Sequence, residues 1–305
     1  MGGLVMGACL AAVLVFSSEA MAAASQAAQV FASGVMPALL PMMVLCRLFA
    51  PGENHEHSPV RDAVGAVLFS FASGSPASAQ RLDDLWRAGA VSPRALEPLL
   101  AACGVMSPMF FVGTLATWTG LKAGCWAMLA CHWLGALATA GLVRLMERRG
   151  SAAPPRKPAA REQSPSLPAA VAGAATALVA VCGAMMAFAA AAGVIRALLT
   201  ALFPAWMAAH RPLVAAVWAL MEVGGGAAAV LEAFPRPPLP LLCALCSFGG
   251  LSIWLQNLMF VDRCVRPVKL LMMRMLHGAL SLGFSLTVFS LFPGLTRPFC
   301  RSRTC

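Results

Sequence analysis

Charged side chains are scarce in this sequence. Asp, Glu, Lys and Arg together make up 11% of the 305 residues, whereas an ordinary soluble domain carries about a quarter. A chain with so few charges is not expected to form a single water-soluble core. It also lacks a Walker loop, so we expect no direct ATP hydrolysis. Its first apolar stretch lacks the positive n-region of a secretory signal and predicts a retained first helix.

Residue sets for catalysis or metal binding are missing as well. The sequence offers no nucleophile with a recognisable base. Cys243 and Cys246 have the spacing of metal ligands, but no second pair accompanies them. His55 and His57 form an equally incomplete signal in a polar stretch. We therefore expect no enzymatic activity, no bound metal and no cofactor.

Long apolar runs are what the sequence has instead. A helix crosses a bilayer with roughly 20 apolar residues, and uncharged runs of about this length recur along the chain. They are continuously apolar, which favours helices over the alternating strands of a membrane barrel. The sequence predicts an all-α, polytopic helical membrane protein with seven or eight transmembrane helices and additional broken or re-entrant segments. The runs are 1–18, 20–46, 63–80, 98–121, 123–143, 163–195, 237–261 and 275–296.

Basic residues lie between these runs. The net charge of +10 therefore indicates membrane orientation, and we expect no nucleic acid partner. The densest basic group, 144–161, predicts a cytoplasmic segment, and its Pro, Ala and Ser content is typical of a flexible linker. The predicted parts are an N-terminal membrane half, 1–147, a basic linker, 148–166, a C-terminal membrane half, 167–296, and a basic tail, 297–305.

Glycine and proline interrupt two apolar runs, and the interruptions align when Gln80 is placed over Gln256. A broken helix exposes backbone groups that lipid does not satisfy, so paired breaks indicate a transporter site. The N-terminus of a half-helix suits an anionic group. Close helix packing by small residues is the alternative. The aligned residues are Ser73, Gly74, Pro76 and Gln80 in one half and Gly249, Gly250, Ser252 and Gln256 in the other.

A third interruption lies at Ser107 and Pro108. It follows an amphipathic stretch in which Ser92 has the position of an N-cap and Pro93 that of a first helical residue. This pattern predicts either an interfacial helix before a re-entrant segment or a loop before a kinked span.

A carboxylate lies inside another apolar segment. Glu222 is near the middle of 212–231, where a charge costs at least about 2.5 kcal/mol, so it should face the protein interior. We expect glycines 224–226 to let the helix open beside it. Glu222 is a candidate to take up a coupling proton, to coordinate a cation or to bind substrate, and a buried structural acid is the alternative. His132 and His277 are further candidates for a polar network, and each is also consistent with a packed neutral histidine.

Several of these stretches, taken in order, resemble one known family. They are SGSPASA, GAVSPRALEPLLAACGVMSPMFFVGT, HWLGALATAGLVRL, MEVGGG, SFGGLSIWLQ and RPVKLLMMRMLHG. From about residue 30 to residue 290 the chain is similar to the YlbJ family of sporulation integral membrane proteins. That family belongs to the nucleoside-recognition, or gate-domain, membrane proteins.

The resemblance implies a role in endospore formation, in the outer forespore membrane derived from the mother cell. It also implies passage of dipicolinic acid, a small aromatic dicarboxylate. The sequence departs from the family at Val105 and Met106, where small polar residues are usual, and at Gly224, where threonine is usual. The matching positions are Ser73, Gly74, Pro76, Pro108, Gly113, His132, Glu222, Gly226, Gly249, Gly250, Ser252 and Gln256.

The leading functional prediction is a membrane transporter or facilitator for a small organic anion. A carrier of nucleosides or other neutral metabolites is one alternative, and a structural or assembly protein of the spore envelope is another. The expected partners are the lipid bilayer and the small substrate, and a homo-oligomer is left open.

Overall fold

The structure is a computed structural model that describes residues 2–48, 58–147, 166–261 and 265–296. The regular secondary structure of these described residues is entirely helical, without a β-strand, which confirms the all-α prediction. The predicted linker up to residue 165, the predicted tail 297–305, and His55 and His57 lie outside the described residues.

Proline begins two helices of the N-terminal half, at the first position, where its missing N–H costs nothing. Ser92 takes the N-cap position before one of them, as predicted, although its hydroxyl makes no capping hydrogen bond. Two π-helical turns, Phe31–Val35 and Phe110–Leu115, continue directly into helices. The helices are α1 (Gly2–Val15), α2 (Ser17–Val30), α3 (Met36–Leu48), α4 (Pro59–Ser73), α5 (Ala77–Arg87), α6 (Pro93–Cys103), α7 (Ala116–Thr119) and α8 (Lys122–Glu147).

The C-terminal half contains the longest helix and two pairs of short helices. Each pair is separated by a single break, and a short 3₁₀ turn, Pro293–Thr296, follows the last helix. The helices are α9 (Leu167–Leu202), α10 (Pro204–Ala209), α11 (Arg211–Met221), α12 (Val223–Ala233), α13 (Leu239–Phe248), α14 (Gly250–Phe260) and α15 (Pro267–Leu291).

Four stretches of the described chain are long and apolar enough to cross a membrane. A fifth candidate is the bent pair Ser17–Val35 and Leu39–Leu45, whose parts meet at 60°. Helices of this length and composition are compatible with an integral membrane protein. The four single candidates are Lys122–Met146, Leu167–Leu202, Leu239–Phe260 and Pro267–Leu291.

Helices α11 and α12 form a hairpin that turns at Glu222. They pack so closely that a Cβ on Gly226 would lie 2.2 Å from Ala219 Cα. This contact joins positions on either side of the turn, so the two helices run antiparallel. The expectation that a helix over 212–231 merely opens beside Glu222 is therefore wrong: the glycines allow the chain to fold back on itself.

The ends of the long helices show how the halves are oriented. Arg144, near the end of α8, donates to the Arg94 carbonyl at the start of α6 (2.9 Å). Lys269, near the start of α15, pairs with Glu97 in α6. The end of α8 and the start of α15 thus lie on the same side of the molecule, so these two helices run in opposite directions.

Corresponding helix bounds in the two halves are separated by the same number of residues along the chain. α6 ends at Cys103 and α13 at Phe248, while α8 begins at Lys122 and α15 at Pro267. At this spacing, Gly104 pairs with Gly249, Ser107 with Ser252, and His132 with His277.

The predicted alignment of Gln80 with Gln256 does not fit the helix bounds. Its larger offset would place α6 inside the unbroken α15, whereas the structural spacing places α6 over α13. The α4–α5 break therefore corresponds to the turn at Glu222, and the Gly249–Gly250 break corresponds to the irregular segment after α6.

The largest apolar cluster lies between α8, the α11–α12 hairpin and α13. In lipid such helices associate through close packing, because the bilayer is as apolar as their side chains. Gly135 brings α8 and α15 together, since a Cβ there would lie 2.1 Å from Ser281 Oγ. Cys243 of α13 belongs to the largest apolar cluster, and its thiol donates to the Met128 carbonyl of α8 (3.5 Å).

Candidate functional site

The break between α4 and α5 is held against the irregular segment after α6. Gly74 has φ of +76°, and a Cβ there would lie 2.3 Å from Ser107 N, so only glycine fits. The next residue, Ser75, donates its backbone N–H to the Val105 carbonyl (2.6 Å). The break between α4 and α5 is thus fixed to the irregular segment after α6 by backbone contact.

The Glu222 side chain caps the N-terminus of α12. Its carboxylate accepts hydrogen bonds from Gly224 N and Gly225 N, both at 2.7 Å, and the residue is 3% exposed. A carboxylate at this position complements the partial positive charge of the helix end. The N-terminus of α12 is therefore occupied by the protein's own carboxylate.

The Gly249–Gly250 break lies against the tip of the α11–α12 hairpin. Both glycines have positive φ, +81° and +74°. A Cβ on Gly250 would lie 3.2 Å from the carbonyl oxygens of Ala219 and Met221, so the backbones meet without side chains between them. The break after α4 and the turn at Glu222 are thus each packed against another interruption of the same half, residues 105–107 in one and Gly249–Gly250 in the other.

A cavity of about 590 Å³ lies where these four interruptions meet. Its volume is in the range of small-molecule sites, about 300–1,000 Å³. Much of the wall is apolar, and no lysine or arginine of the described residues lines it. Its polar lining consists of Ser33, Ser75, Ser107, Thr114, Thr117, Glu222, Ser252 and Gln256.

The structure distributes the predicted site residues between this cavity and its supports. Glu222, Ser252 and Gln256 line the cavity. The Ser73 hydroxyl instead bonds the Phe69 carbonyl of its own helix (2.8 Å). Gly74, Pro76, Pro108, Gly249 and Gly250 form the adjacent breaks.

His132 and His277 form a buried polar layer behind the breaks. The Met106 N–H donates to His132 Nε2 (2.9 Å), so the proton of a neutral ring is on Nδ1, which faces Ser247 Oγ at 2.7 Å. His277 Nε2 is 2.9 Å from the His132 carbonyl oxygen, and the two rings stack at 4.7 Å. The histidines therefore position the irregular segment after α6 and do not line the cavity.

Arg274 is an important residue that sequence reasoning missed. It is 3% exposed, donates from Nε to the Phe248 carbonyl (2.8 Å), and donates from Nη1 to the Gly104 carbonyl. These carbonyls belong to the C-terminal ends of α13 and α6, where partial negative charge accumulates. One signal was available: Arg274 precedes His277 by one turn of helix, and so shares a helix face with it.

The arrangement positions one carboxylate, one amide and several hydroxyl groups around a mostly apolar space. Such a site can recognise a small organic solute by hydrogen bonds and can hold or release a proton at Glu222. Comparison with protein-family models, with curated proteins and with solved structures finds no match to this chain.

Proposed function

We propose that the protein is a membrane carrier for a small organic solute, which binds in the 590 Å³ cavity. The observation that carries this proposal is the meeting of four helix interruptions, two in each half, at one cavity. Interrupted helices are tolerated inside a membrane where they are buried in protein or line a polar space. Paired interruptions in two halves are characteristic of transporter binding sites.

The halves form an inverted repeat in this proposal. With the linker after α8 in the cytoplasm, α4 and α5 enter as a hairpin from the cytoplasmic side, and the α11–α12 hairpin enters from the opposite side. Six elements then cross the membrane, fewer than the seven or eight first predicted, because the runs 1–18 and 63–80 are not counted as spans. The six are α2–α3, α6–α7, α8, α9, α13–α14 and α15. Of the described basic side chains outside the buried Arg274, eight lie on the cytoplasmic side and four on the other, in agreement with the positive-inside rule. The eight are Arg47, Arg61, Arg81, Arg87, Arg94, Arg144, Arg266 and Lys269.

The leading substrate class is a small organic anion, with dipicolinate in the outer forespore membrane as the specific proposal from the family resemblance. The carboxylate of Glu222 lines the cavity, and no described cation lines it. An anion therefore binds there with Glu222 protonated or paired with a cation. Transport of the anion is coupled to that proton or cation.

The cavity lining also favours a second candidate, a nucleoside or other neutral metabolite. The hydroxyl groups of Ser107 and Ser252 and the amide of Gln256 offer both donors and acceptors. Phe110 and Trp118 supply aromatic surface for a planar ring. Such a solute avoids the charge repulsion that an ionised Glu222 imposes on an anion.

Uptake of labelled dipicolinate into liposomes that contain the purified protein tests the proposal. We expect saturable uptake, driven by an inward proton gradient and unaffected by excess nucleoside. Competition by the nucleoside assigns the second candidate instead. No uptake of either solute by folded protein would contradict a carrier and leave a structural role.

The Glu222→Gln variant tests the role of the carboxylate. The amide keeps the size of the side chain but neither binds a proton nor caps both glycine N–H groups. We expect dipicolinate uptake to fall at least about tenfold and to lose its dependence on the proton gradient. The matched control is Asp83→Asn, because Asp83 pairs with Arg87 (2.6 Å) and does not line the cavity, so uptake should stay normal. Gradient-driven uptake by Glu222→Gln would refute the coupling role.

A further inference from the structure

A second cavity, of about 710 Å³, lies on the other side of the α11–α12 hairpin. Its walls come from α9, from the junction of α1 and α2, from α10 and from the hairpin itself. Trp218, Ala229 and Glu232 line it, whereas Glu222, Val223 and Gly224 of the same hairpin line the first cavity. The hairpin therefore separates the two cavities.

Charged side chains of both signs line the second cavity: Arg196, Arg211, Glu19 and Glu232. None of the four forms an ion pair with any residue that the structure describes. The Arg196 guanidinium lies 4.2 Å from the centre of the Trp218 ring, which fixes it on one wall. Within the described chain, Trp218 Nε1 is buried without a hydrogen-bond partner. The cavity thus offers cations and carboxylates without ion-pair partners and a free N–H donor.

The rest of the lining is largely apolar. Phe16, Met207 and Val214 contribute large side chains, and several alanines contribute small ones. A soluble ion needs no such surface, whereas a lipid with a charged head and a hydrocarbon chain uses both parts. The combination therefore favours an amphipathic ligand.

The position along α9 places the charges at the level of lipid headgroups. The helix from Leu167 to Arg196 is about 43 Å long at a rise of 1.5 Å per residue. The hydrocarbon core of a bilayer is about 30 Å thick. With Leu167 at the cytoplasmic surface, Arg196 emerges beyond the core on the opposite side, where tryptophan is also enriched.

We propose that this cavity binds the headgroup of a zwitterionic phospholipid, with the phosphate between Arg196 and Arg211 and the ammonium group at Glu19 and Glu232. The lipid joins α9 to the outer face of the α11–α12 hairpin and restrains the movement of its tip. This restraint rests on the proposed carrier function, whereas the binding site itself does not.

Native mass spectrometry of the purified protein with added phosphatidylethanolamine measures the binding directly. We expect one tightly bound lipid, and at least about fivefold weaker binding in the double variant Arg196→Gln/Arg211→Gln. Arg236→Gln is the matched control, because it is an exposed arginine on the same side that does not line the cavity. Phosphatidylglycerol, which has no ammonium group, should bind more weakly than phosphatidylethanolamine.

Three results would overturn this assignment. Equal lipid binding by the double variant and the control refutes the arginine site. Equal binding of phosphatidylglycerol removes the role of the carboxylates. Binding of soluble phosphoethanolamine as tight as that of the lipid assigns the cavity to a soluble ligand. None of these readouts depends on transport, so failure here leaves the carrier proposal to its own test.

Discussion

Gly74 is a position where the absence of a side chain is itself required. Its φ is positive and a Cβ would meet the Ser107 backbone at 2.3 Å. Gly74→Ala should destabilise the protein by about 3 kcal/mol or more, through backbone strain and steric overlap. Gly65→Ala is the matched control in α4, the helix that Gly74 ends, since a Cβ there meets nothing within 4 Å. Thermal unfolding in detergent compares the two, and equal melting temperatures would contradict the packing described for this break.

Asp84 predicts a pH dependence outside the membrane-spanning segments. Burial, with a contribution from Asp83, raises its pKa to about 6, against the opposing effect of Arg81, Arg47 and Arg87. The fold thus favours the protonated form, so this contribution to the free energy of unfolding is complete below about pH 3.8 and is lost as the pH rises through about 6. The melting temperature of the wild type should fall over this window more than that of Asp84→Asn. Parallel profiles would show that Asp84 does not titrate there.

Sequence reasoning predicted the polar residues that break an apolar pattern and missed those whose role depends on distant partners. Glu222 stands out because a carboxylate in an apolar run is costly. Arg274 does not stand out, because it lies at the edge of a run. The carbonyls it binds are 26 and 170 residues away along the chain.

Arg274 also determines how two helices meet. Without its guanidinium, the buried carbonyl ends of α6 and α13 lose their donors, at about 1–3 kcal/mol each. We therefore expect Arg274→Met to lower the free energy of unfolding by about 2–6 kcal/mol, and Arg274→Lys to have an intermediate effect. The measurement is chemical or thermal unfolding in micelles. Arg144→Met, which removes an exposed hydrogen bond to the Arg94 carbonyl, is the control, and an equal effect of both changes would contradict this role.

Hairpins and spans look alike in a sequence because both are apolar stretches long enough to cross a bilayer. The segment 211–233 folds back at Glu222, whereas 239–260 continues through its glycine break as a span candidate. What separates them is the contact between Gly226 and Ala219, which is tertiary. For a similar reason the short match around Gln80 and Gln256 was more visible in the sequence than the common spacing of the helix bounds, which few side chains accompany.

Across the entire protein, composition predicted the helical and membrane character, because both depend on sums over many residues.

The proposed membrane topology gives a separate prediction about which residues can be reached from outside. In the proposed topology, both ends of the α11–α12 hairpin lie opposite the cytoplasm. In a background without native cysteines, Ala209→Cys and Arg236→Cys should react with an impermeant maleimide from outside, whereas Ser58→Cys should react only after permeabilisation. Labelling of residues 209 and 236 from opposite sides would show that the segment spans.

Arg274 has no counterpart in the other half, since the equivalent position is Leu129, a buried apolar side chain. In a perfect inverted repeat, exchanging the conformations of the two halves gives two states of equal energy, one open to each side of the membrane. Here only one half contains a guanidinium that ties two helix ends together. If the protein is the proposed carrier, its two states therefore differ in free energy, and this asymmetry gives it a preferred resting orientation.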